Sequence, residues 1–174
     1  MGMRLYRSQV PRLAEDIIDT LALEGDIVVS ADDKEDAQKD VAAIMEEYLR
    51  QESRVVQRTR EVMERGQITY DQFGRVKGSI ADETKHPTGD DGIRWIAGQI
   101  IENFMISRFV DEVFGNDRDM KRTVMRLFRK HLIEEADLDK EVRGRIKNVR
   151  PGSPQWDIEY KRVMSEVRRK RGLV

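Results

Sequence analysis

The chemistry open to this sequence starts with two histidines, His86 and His131, because it contains no cysteine. Without thiols there is no thiolate nucleophile, cysteine zinc site or disulfide. Glu134 and Glu135 follow His131, and on a helix His131 and Glu135 would share a face. A carboxylate-bridged di-metal centre needs Glu-x-x-His from each of two helices, but the residue three before His131 is Phe128. No metal is expected, and His131 reads as a half-buried packing residue. Asn116-Asp117-Arg118-Asp119 opens like a calcium loop, yet Lys121 falls at loop position 5. The glycine at position 6 and the glutamate at position 12 are missing as well. Gly74-Arg75-Val76-Lys77-Gly78-Ser79 has the residue types of a phosphate loop. Its glycines are too close together, and no Lys-Ser/Thr follows the second. His86 lies among turn formers and pairs with no hydroxyl at a recognisable spacing. The expectation is a protein without catalytic residues, cofactor or metal.

What remains is electrostatic. Arg168, Arg169, Lys170 and Arg171 form a block near the end of the chain, and Arg143, Arg145, Lys147 and Arg150 precede it. Such clusters neutralise phosphates, which makes these eight residues the candidate anion or nucleic-acid contacts. Cations in a last helical turn also favour the helix dipole with no partner at all. Residues 1–86 hold 13 basic and 18 acidic side chains, and residues 87–174 hold 19 and 15, so the total of −1 conceals a mild asymmetry.

The elements that carry these residues are helical. Val10, Leu13, Ala14, Ile17, Ile18 and Leu21 recur at helical spacing, with Ser8 as the expected cap and Gly25-Asp26 as the stop. Ile27-Val28-Val29 reads as a short extended piece. A second stripe runs through Val41, Ile44, Met45, Tyr48 and Leu49 and continues in phase through Val55, Val56, Thr59, Val62 and Met63. Gly66 is the expected C′ glycine. Whether residues 33–65 make one helix or two joined near Ser53 is open at this level. A third stripe, Tyr70, Phe73, Val76 and Ile80, begins near Thr69. Acidic residues such as Asp32, Asp33, Glu35 and Asp36 sit where helix N-termini favour negative charge.

After residue 84 the pattern recurs. His86 to Gly92 reads as a linker. Then Ile93, Ile96, Ala97, Ile100, Ile101 and Phe104 repeat the first stripe at a shift of 83, and Val124, Leu127, Phe128 and Leu132 repeat the second. The shift grows to 87 across Pro151-Gly152-Ser153-Pro154, placing Tyr160, Val163 and Val167 on the third. The expected fold is all-α, with two tandem pseudo-symmetric three-helix units packed together as an elongated or bundle-like protein. Their bounds are 1–84 and 93–174, joined by a linker at 85–92. Each unit is small for a self-sufficient core, so the halves should pack on one another like a dimer fused into one chain.

Composition agrees with a packed, heavily charged protein. Of 174 residues, 39% are hydrophobic and 37% charged, and the mean hydropathy is −0.67. No apolar run approaches the ~18 residues of a membrane span. No basic stretch followed by an apolar one opens the chain, so secretion is not expected.

Gly152-Ser153-Pro154-Gln155-Trp156-Asp157-Ile158-Glu159-Tyr160-Lys161, Leu132-Ile133-Glu134-Glu135 upstream, and the opening Met3-Arg4-Leu5 with Val10, Leu13 and Ile17 carry a resemblance. Together they resemble DUF507, a bacterial domain-of-unknown-function family, in two tandem copies. The first copy departs at Thr69-Tyr70-Asp71-Gln72-Phe73, which has no Ser-Pro. The resemblance implies a cytoplasmic bacterial helical protein and brings no catalytic residues. In physical terms Ser153 is an N-cap, Pro154 the first helical residue, and Trp156 and Tyr160 anchors of a terminal helix. The expected function is a non-catalytic adaptor or scaffold whose partner is another protein, with homodimerisation allowed and no membrane involved. The alternative is a nucleic-acid-binding module using the basic C-terminal helices.

Overall fold

The computed structural model describes residues 3–173, and their side chains except those of Met3 and residues 133–136. Among them are seven α-helices: α1 (Val10–Leu23), α2 (Lys34–Gly66), α3 (Phe73–Glu83), α4 (Gly89–Ile106), α5 (Asp117–His131), α6 (Glu135–Arg145) and α7 (Pro154–Lys170). Four two-residue strands, β1 (Met3–Arg4), β2 (Ile27–Val28), β3 (Glu112–Val113) and β4 (Ile133–Glu134), form two antiparallel ribbons, β1 with β4 and β2 with β3. The protein is an all-α bundle. None of its helices is long and apolar enough to cross a membrane.

Its main core is shared by the two halves of the chain. Leu13, Ile17, Ile18 and Leu21 of α1 pack with Val41 and Met45 of α2, Ile96 and Ile100 of α4, and Val124 and Phe128 of α5. Each of these side chains is essentially withdrawn from solvent, which is the burial an i, i+3, i+4 stripe drives. α1 packs on both α2 and α5, and α4 packs on both α5 and α2. β2 and β3 cross between them with Ile27 opposite Val113 and Val28 opposite Glu112. Two helical hairpins extend from this four-helix body. The far half of α2 and α3 enclose Val55, Met63, Val76, Ile80 and Ala81. α6 and α7 enclose Leu138, Val142, Val163, Met164 and Val167, closed by Tyr6 and Leu173.

Residues 34–66 form one unbroken helix, about 50 Å long at 1.5 Å per residue. Its counterpart in the second half is divided, so that half has four helices where three were expected. The division is imposed from outside the stripe. Arg4 pairs with Ile133 and Met3 with Glu134, drawing that stretch out of helical geometry. Leu132 is already extended (φ −76°, ψ 152°), and the Gln9 side-chain amide donates to the His131 carbonyl at 2.6 Å, satisfying an acceptor that the broken helix exposes. No free N-terminal segment precedes α4 to do the same to α2.

Three local expectations are corrected. Ser8 does not cap α1: it lies in the 3₁₀ turn Arg7–Gln9, where the Gln9 side chain accepts from the Tyr6 N–H instead. Gly66 is the last residue of α2, and Gln67 takes the left-handed position (φ 51°). α4 begins at Gly89, inside the stretch read as linker. Thr69 precedes a 3₁₀ turn, Tyr70–Gln72, that leads into α3.

Candidate functional site

Both histidines are held by carboxylates that their sequence neighbourhood does not reveal. His86 was read as a linker residue, but its side chain is only 3% exposed and its Nε2 lies 2.5 Å from Glu52 Oε2. The other Glu52 oxygen lies 2.5 Å from Lys77 Nζ. Tyr48, one turn before Glu52 on α2, stacks on the imidazole with ring centroids 4.9 Å apart and donates to the Pro87 carbonyl at 2.8 Å. The cluster therefore joins α2, α3, the loop after α3 and, through Gly92 and Trp95, the start of α4. Burial by itself raises the Glu52 carboxyl, but Lys77 and His86, through hydrogen bonds and charge, outweigh it and hold it below the usual glutamate range. Burial, with the Glu52 charge adding to it, pushes the Tyr48 phenol well above its ordinary value. His86 Nδ1 is buried with no hydrogen-bond partner among the described residues. The geometry ties α2, α3 and α4 together.

His131 is half-buried, with Nε2 2.6 Å from Asp16 Oδ2, joining α5 to α1. The hydrogen bond from His131 holds the Asp16 carboxyl below its usual value. Glu134 and Glu135, the other members of the metal pattern weighed above, have side chains outside the described ones. Among the described residues no group of three or more His, Asp or Glu is placed to hold a metal. Asn116 proves to be the N-cap of α5, its Oδ1 accepting from Arg118 N at 2.9 Å and Asp119 N at 3.4 Å. Gly74–Ser79 is part of α3 and no loop at all.

The eight candidate cations lie on α6, on the loop after it and at the end of α7, and several are paired with acids. Arg143 pairs with Asp139 at 2.9 Å and lies over the Trp156 ring. Arg145 and Arg171 share Glu141, at 2.8 and 2.5 Å. Arg168 is half-buried over the Tyr6 ring and, with Arg4, Tyr6, Ser165, Arg169 and Leu173, lines an open cavity of about 320 Å³. Lys147, Arg150, Arg169 and Lys170 remain exposed without an acidic partner among the described residues. Lys147 and Arg150 lie just before α7, whereas Arg169 and Lys170 lie at its end. Fifteen helical residues, about 22 Å, separate the two pairs. Trp156 and Tyr160 serve as anchors: their rings pack at a tilt with centroids 5.1 Å apart, and the Tyr160 hydroxyl donates to Asp139 at 2.6 Å.

The sequence reading missed a different surface. Seven large apolar side chains stand exposed among the described residues, and five of them, Leu23, Val28, Met105, Ile106 and Phe114, lie at the end where α1 and α4 finish and the β2–β3 ribbon crosses. Leu23 is 90% and Ile106 84% exposed. Asp111 N donates to Val28 O and Phe114 N to Asp26 O, both at 2.8 Å, so the two halves of this end are stitched together. Leu23 lies four residues from the ribbon and Ile106 six, a reach of at most roughly 14 and 21 Å. The missing signal is faint: each residue sits one position outside a helical stripe or beside a turn.

The model of a family described as a protein of unknown function, DUF507, matches residues 3–173. One span covers both halves, where the sequence had suggested a copy in each. No curated protein matches the chain.

Proposed function

The chain belongs to the DUF507 family, and within that family we propose that it is a non-catalytic helical adaptor acting in a bacterial cytoplasm, its two halves forming a dimer-like pair fused into one chain. The observation that carries this reading is the exposed apolar end formed by Leu23, Val28, Met105, Ile106 and Phe114. Apolar side chains gathered at one place and rimmed by charge favour contact with another protein. Two further facts support it. The polar groups that could do chemistry, at His86 and His131, are engaged in holding helices together. The four-helix body beneath the apolar end holds the largest buried cluster among the described residues and gives it a firm base.

The test is a pull-down from the native lysate, with and without nuclease, using the wild-type chain and a Leu23→Ser/Ile106→Ser/Phe114→Ser variant. A protein partner that survives nuclease and is lost with the variant is the expected result. A partner that disappears with nuclease moves the function to the basic α6–α7 hairpin. There an Arg169→Ser/Lys170→Ser variant should abolish binding, and binding should fall steeply with salt.

A further inference from the structure

The charge around the apolar end specifies its partner. The segments that build this end, residues 22–36 and 105–119, contain ten acidic side chains (Glu24, Asp26, Asp32, Asp33, Glu35, Asp36, Asp111, Glu112, Asp117, Asp119) and three basic ones (Lys34, Arg108, Arg118). That is a balance of −7, and still −4 once the bases paired with these acids from just outside the two segments are counted, Arg126 on Glu24 (3.5 Å), Lys39 on Glu35 (3.2 Å) and Arg122 on Asp119 (4.0 Å), in a chain whose total is −1. Helix dipoles do not offset it. α2 and α5 start here while α1 and α4 finish here, so two positive and two negative helix ends cancel. Neither α1 nor α4 has a basic residue in its last turn. Lys34 is already committed to Asp19 at 2.7 Å.

We infer that this end docks a basic, apolar protein segment, with Lys or Arg interspersed among two or three apolar anchors; the inference rests on the adaptor reading and names its partner. An acidic rim around an apolar centre steers such a segment in by charge and holds it by burial. The same rim repels the alternatives. Nucleic acid and an anionic membrane surface both present phosphates. A second copy meeting end to end would bring like charges face to face. A contact between this end and the basic α6–α7 hairpin of another copy would give a dimer, a ring or a filament, which sedimentation reveals.

The probes are two fluorescent amphipathic peptides of equal length, one of Leu and Lys and one of Leu and Glu, titrated with the full chain by anisotropy. The Leu/Lys peptide should bind at least about tenfold more tightly, and more weakly as salt rises from about 0.05 to 0.5 M. The Leu23→Ser/Ile106→Ser/Phe114→Ser variant should lose at least about tenfold of that affinity, because charge alone does not replace the anchors. Asp111→Asn/Glu112→Gln should weaken it too, and Arg169→Ser/Lys170→Ser should not. All the substituted side chains are exposed, and unchanged circular dichroism and melting verify the fold. Equal binding of the two peptides, binding of neither, or indifference to the apolar variant overturns the inference. So does sedimentation showing a wild-type dimer that the apolar variant abolishes, because a second copy then covers the patch. If neither peptide binds while the apolar variant still loses its lysate partner, the partner chemistry is wrong and the adaptor reading stands.

Discussion

At the scale of single residues, Glu52 does the most. It neutralises Lys77, holds His86 and sits a turn beyond Tyr48, all where three elements meet. Its carboxyl is held below the unfolded value of 4.5, so the native state favours the ionised form. The resulting stability is fully present above about pH 4.5 and is lost as pH falls through the lowered native value. Asp16, held down by its bond to His131, acts in the same direction. Glu52→Gln removes the charge and weakens both bonds, which should cost about 1–3 kcal/mol near neutral pH. The deficit should shrink on acidification, where the wild type has lost the contribution as well. Urea midpoints at about pH 7 and about pH 3 measure this, and an equal deficit at both would refute it. The sequence could not disclose the site: Tyr48 and Glu52 are visibly one turn apart, but His86 is 34 positions from Glu52 and Asp16 115 positions from His131.

At the scale of elements, most of the fold was legible, because burial on a helix follows a period that the sequence displays. All six stripe residues of α1 are buried, as are Ile93, Ile96, Ala97, Ile100, Ile101 and Phe104 of α4. Ser153 caps α7 as its position implies, accepting from Trp156 N at 3.2 Å. What escaped was whatever another part of the chain decides. Nothing in the second stripe marks Leu132 as a break; β1 and Gln9 create it. Gly92 is a second example, read as a linker residue and found in α4 against the Tyr48 ring. A Cβ there would lie 2.9 Å from Tyr48 Cζ and 3.1 Å from the Pro87 carbonyl oxygen. Six residues on in the same helix, a Cβ at Gly98 would meet only Lys121 Cε, at 3.9 Å. Gly92→Ala should therefore destabilise the protein by about 1–3 kcal/mol through overpacking. Gly98→Ala should stabilise it by up to about 1 kcal/mol through helix propensity. Denaturant melts of the two variants should move in opposite directions, and a common direction would show that propensity alone governs α4.

At the scale of the whole molecule, one helix belongs to two cores of very different size. Among the described residues, Ala37, Val41, Met45 and Tyr48 of α2 lie in the central core of 24 buried residues, whereas Val55 and Met63 lie in a satellite of five. Seven described residues are buried in the core of the α6–α7 hairpin. Local opening is easiest where least apolar surface holds an element in place, so the two hairpins should open without disturbing the body that carries the apolar end. Native-state hydrogen exchange should then find the highest opening free energies in α1, α4, α5 and the first half of α2, with lower values in α3, α6 and α7. Within α2 itself, protection should fall beyond Tyr48, although its backbone bonding is continuous from Lys34 to Gly66. The step should lie near Glu52, where Lys77 and His86 fasten the hairpin to the body. Glu52→Gln should move the boundary toward the body and lower protection in α3, leaving α1 and α4 unchanged. Uniform protection along α2 would mean that the hairpin and body open together. The cluster at Glu52 would then be an ordinary part of one cooperative core, with no role as the fastening between two.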